Sequence, residues 1–155
     1  MRISNALVQQ QPSRIAVLME LYERNFLLLE QLVPELDLPF NQAVSTSVAD
    51  EPLHLIALER GRYTSSFRLT YEINGVAEPD MWVKVYRDAR MAESLYFATR
   101  PRWLAVEEGD PEVERYLDAQ WSRNLMLNKW LHYLLERGHG FGMSGRPRGR
   151  SEYCD

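Results

Sequence analysis

From Tyr63 to Ile73 the side chains alternate without a break. Tyr63, Ser65, Phe67, Leu69, Tyr71 and Ile73 fall on one side; Thr64, Ser66, Arg68, Thr70 and Glu72 fall on the other. Successive side chains of a strand point to opposite faces, so this stretch predicts a strand with one buried face and one wet face. Such faces belong to antiparallel sheets, because parallel strands are apolar on both sides. Gly61-Arg62 precedes the alternation, and Leu53–Arg60 before that completes a hairpin. Asn74-Gly75 turns the chain again, and Glu78-Pro79-Asp80 prepares a further strand, Met81–Arg87. Strands joined by so few residues lie side by side as a meander. A weaker strand over Gln42–Val48 comes first, broken by Asp50-Glu51-Pro52.

Two helices flank the strands. Ser13 is placed to cap the first, and Ile15, Leu18, Met19, Tyr22, Phe26, Leu29 and Leu32/Val33 recur at three- and four-residue steps until Pro34. Asn25 lies beside this stripe and reads as a solvent-facing or backbone-bonded amide. The second helix opens on Asp110 and Pro111 and runs to about Arg137, where Gly138 stops it. Val113, Tyr116, Leu117, Trp121, Leu125, Leu127, Trp130, Leu131, Leu134 and Leu135 form its apolar stripe. The fold class is therefore α+β: a four- to five-stranded antiparallel meander with an N-terminal and a long C-terminal helix packed on one face. The domain covers 13–139, between a loose arm at 1–12 and a Gly/Arg-rich tail at 140–155. At 155 residues one core suffices without metal or disulfide staples.

The densest departure from the alternating pattern is Arg87-Asp88-Ala89-Arg90-Met91-Ala92-Glu93, four charges within seven positions. The expectation is a strand that continues past a bulge through Ala98, since charged residues crowd such bends; a short helix capped by Asp88 is the alternative. Asp88 and Glu93 are a close carboxylate pair beside arginines. Burial could divide them into acid and base, but Arg87 and Arg90 favour the ionised forms and an ion-pair network. Arg62, Arg87 and Arg90 could also clamp a phosphate or carboxylate, with Tyr63 and Tyr86 beside them.

Several pieces together resemble the YqiB-like family of proteobacterial proteins. They are Asn25-Phe26 with Leu29, Leu32 and Pro34; Arg62-Tyr63-Thr64; Tyr86 with Asp88-Ala89-Arg90-Met91-Ala92-Glu93; and Asp118, Asn124, Trp130-Leu131 and Gly138. The resemblance covers about 19–139 and implies a cytoplasmic bacterial setting, with no reaction attached, because the family is a domain of unknown function. The chain departs from the family pattern at Arg87, where a histidine often stands, and at Ala119-Gln120, where an acidic-basic pair follows the aspartate. Arginine cannot titrate near neutral pH, which counts against acid-base catalysis at that position.

Other chemistries find little purchase. His54, His132 and His139 show no metal spacing, and the one cysteine, Cys154, offers no disulfide framework and fits a reducing compartment. Gly138-His139-Gly140-Phe141-Gly142 follows a helix rather than a strand, so it is no phosphate loop and reads as flexible tail. Tyr63, Phe67, Tyr71, Trp82, Tyr86 and Tyr96 could form a base-stacking sheet face, though aromatics at period two more commonly face a core; Trp121 and Trp130 read as core. A formal net charge of -4 argues against broad nucleic-acid binding, leaving only the basic tail with Arg146, Arg148 and Arg150 for single-stranded RNA. Arg2 is followed by no apolar run of signal-peptide length, and Phe26–Leu29 is far too short for a bilayer, which needs about 20 residues. The expectation is a cytoplasmic, non-catalytic binding or adaptor module that contacts a protein. The alternative is an anionic small-molecule or nucleotide binder, with or without an enzymatic activity, using Arg62, Tyr63, Tyr86, Arg87, Asp88, Arg90 and Glu93. Neither reading calls for a cofactor, and self-association is open to both.

Overall fold

The computed structural model describes residues 13–73, 76–95 and 111–142. Helix α1 (Arg14–Leu32) opens on Ser13, whose hydroxyl accepts the Ala16 N–H at 3.0 Å. Such a cap satisfies one of the amides that a helix start leaves without a partner. Strands β1 (Gln42–Ser47), β2 (Asp50–Arg60), β3 (Thr64–Ile73), β4 (Val76–Tyr86) and β5 (Met91–Ser94) follow, then α2 (Pro111–Glu136). The sheet order is β1-β2-β3-β4-β5, every pair antiparallel, so the meander and the α+β class hold.

Alternation does place the core. Leu53, Leu55, Phe67, Leu69, Tyr71, Met81, Val83, Val85 and Ala92 supply the sheet side; Phe26, Leu29, Leu32, Leu127, Leu131 and Leu134 supply the helices. Each such side chain contributes about 1.5–3 kcal/mol by leaving water. The α1 stripe is rotated from its expected position. Leu21, Asn25 and Leu28 are buried, because α1 packs on α2 as well as on the sheet, whereas Ile15 and Met19 are exposed. Trp130 packs on the core and meets Tyr71 edge-on at 5.6 Å between ring centroids. Trp121 does not join it; it sits at the surface and lines a groove with Val17, Leu18 and Leu117.

Three expectations are corrected by the pairing. Asp50-Glu51-Pro52 and Pro79-Asp80 lie inside strands rather than between them. The register slips beside both prolines: Ser45↔Leu53 gives way to Ser47↔Asp50, and Thr70↔Asp80 to Glu72↔Ala77. A bulge leaves a residue out of the ladder, which is where a residue without an N–H fits. The third correction concerns Arg87–Arg90. These residues do not bend a strand; they reverse it, and Tyr86↔Met91 sets β5 antiparallel beside β4. The Asp88 carboxylate accepts the Ala89 N–H at 2.9 Å, and Arg90 takes a left-handed φ of 57°. Both moves are ones that turns use to reverse a chain. The expectations for Asn74-Gly75, Ala89–Ala98 beyond Leu95, the Asp110 cap and the basic tail fall on residues outside those described.

The glycine-spaced segment after α2 is also corrected. Gly138 has φ 88°, its N–H donates to the Leu135 carbonyl at 3.1 Å, and the His139 N–H donates to the Leu134 carbonyl at 3.1 Å. That is a Schellman ending, which needs the left-handed residue glycine supplies. It aims the chain back into the fold. The Phe141 N–H donates to the Leu32 carbonyl at 2.8 Å, and the Phe141 ring is 0% exposed. Phe141→Ala should therefore cost about 3–5 kcal/mol, as a core residue does and a tail residue does not. Urea unfolding checks this: the midpoint falls sharply with the slope retained.

Candidate functional site

Two turns sit side by side because β3 pairs with β2 on one side and β4 on the other, with Thr64↔Tyr86 at the end of the ladder. The Arg87 N–H donates to the Tyr63 carbonyl at 2.8 Å. Its guanidinium Nη2 donates to the carbonyls of Gly61 at 2.6 Å and Thr64 at 3.2 Å. Arg87 thus ties the β2–β3 turn to the β4–β5 turn. A Cβ on Gly61 would stand 2.9 Å from Thr64 Oγ1 and 3.3 Å from the Thr64 carbonyl oxygen, so a larger residue there would force Thr64 to shift. This bridging needs no titrating group, so an arginine can do it, although its Nε is buried with no hydrogen-bond partner among the described residues.

Above this tie lies the exposed set. The Arg62 guanidinium stands 5.4 Å from the centroid of the Tyr63 ring, and Tyr63 is 52% exposed. Asp88 and Ala89 are exposed in the neighbouring turn. The Arg90 guanidinium lies 4.9 Å from the centre of the Phe26 ring and reaches Glu30 at 3.4 and 3.5 Å. A cleft of about 310 Å³ opens between α1 and this turn, lined by Glu23, Leu27, Ala89 and Arg90.

The remaining expected residues turn the other way. Tyr86 donates to Glu93 Oε2 at 2.5 Å, and Lys84 Nζ stands 5.3 Å from the Tyr86 ring centroid. Gln120 donates to Glu93 Oε1 at 3.3 Å and to the Tyr22 hydroxyl at 3.0 Å, while Arg123 donates to Gln120 Oε1. Burial pushes the Tyr22 phenol up to about 12, against the Gln120 hydrogen bond and with help from the Glu93 charge. Burial and then Glu93 push Tyr86 up as well. Both phenols therefore stay protonated at neutral pH, and Glu93 serves as their acceptor. Asp88 and Glu93, neighbours in sequence, occupy different surroundings, one an exposed turn and the other a half-buried seam. The three arginines expected to converge have three separate partners: Tyr63 for Arg62, backbone carbonyls for Arg87, Phe26 and Glu30 for Arg90.

A second cluster escaped the sequence. His139 is held between Ser45, whose Oγ is 3.0 Å from Nδ1, and Asp50, whose Oδ2 is 3.2 Å from Nε2. Tyr71 donates to the same Asp50 oxygen, and the Gly140 N–H donates to Ser45 Oγ at 3.0 Å. A neutral ring protonated on Nε2 satisfies every member: Nε2–H to Asp50, Ser45 hydroxyl to Nδ1. The residue types are those of a hydrolytic triad, but Ser45 is 0% exposed, so no substrate reaches its hydroxyl. The cluster is a latch joining β1, β2 and β3 to the chain after α2. The alternating glycines around His139 were the only trace of it, and glycine spacing alone does not reveal burial.

The fold and surface define a two-layer α+β protein that displays polar, aromatic and charged side chains from two tied turns. Among the described residues no group of three or more His, Cys, Asp or Glu side chains could hold a metal ion, and no helix is long and apolar enough to cross a membrane. A family model matches residues 28–140, and the chain belongs to that family, described as protein of unknown function (DUF1249). No curated protein and no solved structure matches the chain. The matched span runs from within α1 to Gly140, so it includes both the tied turns and the latch.

Two measurements test these assignments. Burial lowers the His139 pKa below its ordinary 6.5, outweighing the Asp50 charge that raises it. The unfolded chain then takes the proton first, so the latch's stabilisation is complete above about pH 6.5 and is lost as pH falls below it. Unfolding free energies measured from about pH 7.5 to pH 5 should decline, and less steeply in His139→Gln. Glu93→Gln should lower the pH at which Tyr22 and Tyr86 ionise, read from phenolate ultraviolet absorbance, since the carboxylate charge opposing a phenolate is gone.

Proposed function

We propose that the protein is a non-catalytic binding module whose partner is another protein, held on Arg62, Tyr63, Asp88, Arg90 and the adjoining part of α1. One observation carries the reading: a half-exposed tyrosine with an arginine laid over it stands on turns that Arg87 ties together. Tyrosine and arginine are the residues that most often dominate interface energetics. A surface fixed in advance loses little entropy on docking. Tyr86, Arg87 and Glu93 act below it as the frame. The anion-clamp alternative has less support, because each of its guanidinium groups has a partner already. Within the family we place the chain with the YqiB-like proteobacterial proteins and in the cytoplasm, on Asn25-Phe26, Arg62-Tyr63-Thr64, the Asp88–Glu93 stretch and the single cysteine.

The test is site-specific photo-crosslinking in cells, with benzoylphenylalanine in place of Tyr63 and, as control, in place of the exposed Tyr133 of α2. A discrete protein adduct is expected from position 63 alone, and Arg90→Gly should reduce it. That substitution relieves a left-handed residue worth about 1–2 kcal/mol. It also gives up a cation–π contact of about 0.5–1 kcal/mol, so the thermal midpoint should hold or rise while capture falls. Equal adducts from both positions, or none from position 63, would sink the reading.

A further inference from the structure

We propose that the cleft between α1 and the β4–β5 turn receives a basic side chain, lysine or arginine, of the protein partner. The inference rests on the binding-module reading and names the chemistry of its partner. The cleft has an apolar floor and an unbalanced rim. Leu27 is 50% exposed although it stands in the middle of a helix, and Ala89 faces it across the opening. Arg90 is the cation in the lining, and its charge is already met: Glu30 lies at 3.4 and 3.5 Å and the Phe26 ring lies under the guanidinium. Glu23, on the same wall as Leu27, forms no ion pair among the described residues. Asp88 is next to Ala89 in the turn, and its carboxylate accepts a single backbone N–H there and meets no cation among the described residues.

The lining therefore holds Glu23 beside Arg90, whose charge Glu30 already meets, so one carboxylate is left without a counter-charge among the described residues, at an apolar opening of about 310 Å³. A long basic side chain matches both parts. Its methylene stem covers Leu27 and Ala89, and its head reaches Glu23. An anion would have to pull Arg90 from Glu30 and would face the Glu23 carboxylate. The charge preference is thus opposite in sign to the phosphate clamp that the arginines alone suggest. Because the rim is exposed, its electrostatic part must weaken with salt.

The experiment titrates the full-length, isotope-labelled chain with three capped amino acids and follows backbone amide shifts. The probes are N-acetyl-arginine methylamide, N-acetyl-glutamate methylamide and N-acetyl-norleucine methylamide. The arginine probe should shift the amides of Glu23, Leu27, Ala89 and Arg90 at several-fold lower concentration than the norleucine probe, and the glutamate probe should not shift them. Added salt should weaken the response and Glu23→Gln should abolish it, with the rest of the spectrum unchanged as proof of folding. A silent cleft, an equal response to norleucine, or a stronger response to glutamate overturns the proposal. The binding-module reading is judged separately by the adduct at position 63. An adduct whose yield is indifferent to Glu23→Lys leaves the module standing and removes the basic insertion. An arginine response without any adduct keeps the cleft's preference for a basic side chain and removes the protein partner.

Discussion

Asn124 is the residue on which the placing of the helices turns. It is 0% exposed, and every polar group it carries is used. Its Oδ1 accepts the Ser94 N–H of the edge strand at 2.7 Å, its Nδ2 donates to the Gln120 carbonyl at 2.8 Å, and its own carbonyl accepts from Asn25 at 3.2 Å. Asn128 completes the seam by donating to Asn25 Oδ1 at 2.9 Å. One residue thereby joins α1, α2 and β5. Leucines would tolerate several slides of one helix past the other. A buried amide left unpaired costs about 1–3 kcal/mol, so each slide would be penalised several times over. The register it selects lays Phe26 and Glu30 under Arg90 and forms the wall of the cleft.

The other edge of the sheet is closed by different means. There the Ser45–His139–Asp50–Tyr71 chain fastens the residues after α2 to β1, β2 and β3, and Phe141 fills the space behind. The apolar core between the two networks supplies most of the free energy of folding and little of the specificity. The networks at its margins decide which arrangement of helices on sheet is adopted. Protonating His139 would turn Nδ1 into a donor facing Ser45, whose hydroxyl hydrogen would then have no acceptor, so this margin is tuned by pH near neutrality.

How much of this was legible depends on whether a local pattern or a distant partner decided it. Period-two alternation in β3 and capping at Ser13 are local, and both were readable. The prolines at positions 52 and 79 misled for the opposite reason. A proline breaks a strand only if its missing N–H is needed, and that depends on where the neighbouring strand slips register. The residues Arg87–Arg90 hold no glycine, and without one a tight reversal is hard to expect. His139 and Phe141 were hidden by composition. Three glycines around them read as disorder, yet Gly138, with its left-handed φ, lets the backbone turn sharply enough to enter the core.

The charge-dense stretch shows why its residues could not be sorted beforehand. Charge alone does not distinguish a frame from a display. Arg87 spends its donors on carbonyls beneath the surface, whereas Arg90, three residues on, occupies a left-handed backbone position that glycine or asparagine would take more cheaply. An arginine held there at a cost of about 1–3 kcal/mol needs a return on the side-chain end. Part of that return is visible in Phe26 and Glu30. Those contacts, however, leave an opening beside the guanidinium instead of closing it, with Leu27 in the floor and Glu23 unmatched. A purely structural arginine would be expected to seal the gap it bridges. That this one stops short of sealing it leaves the opening that the proposed basic side chain would fill.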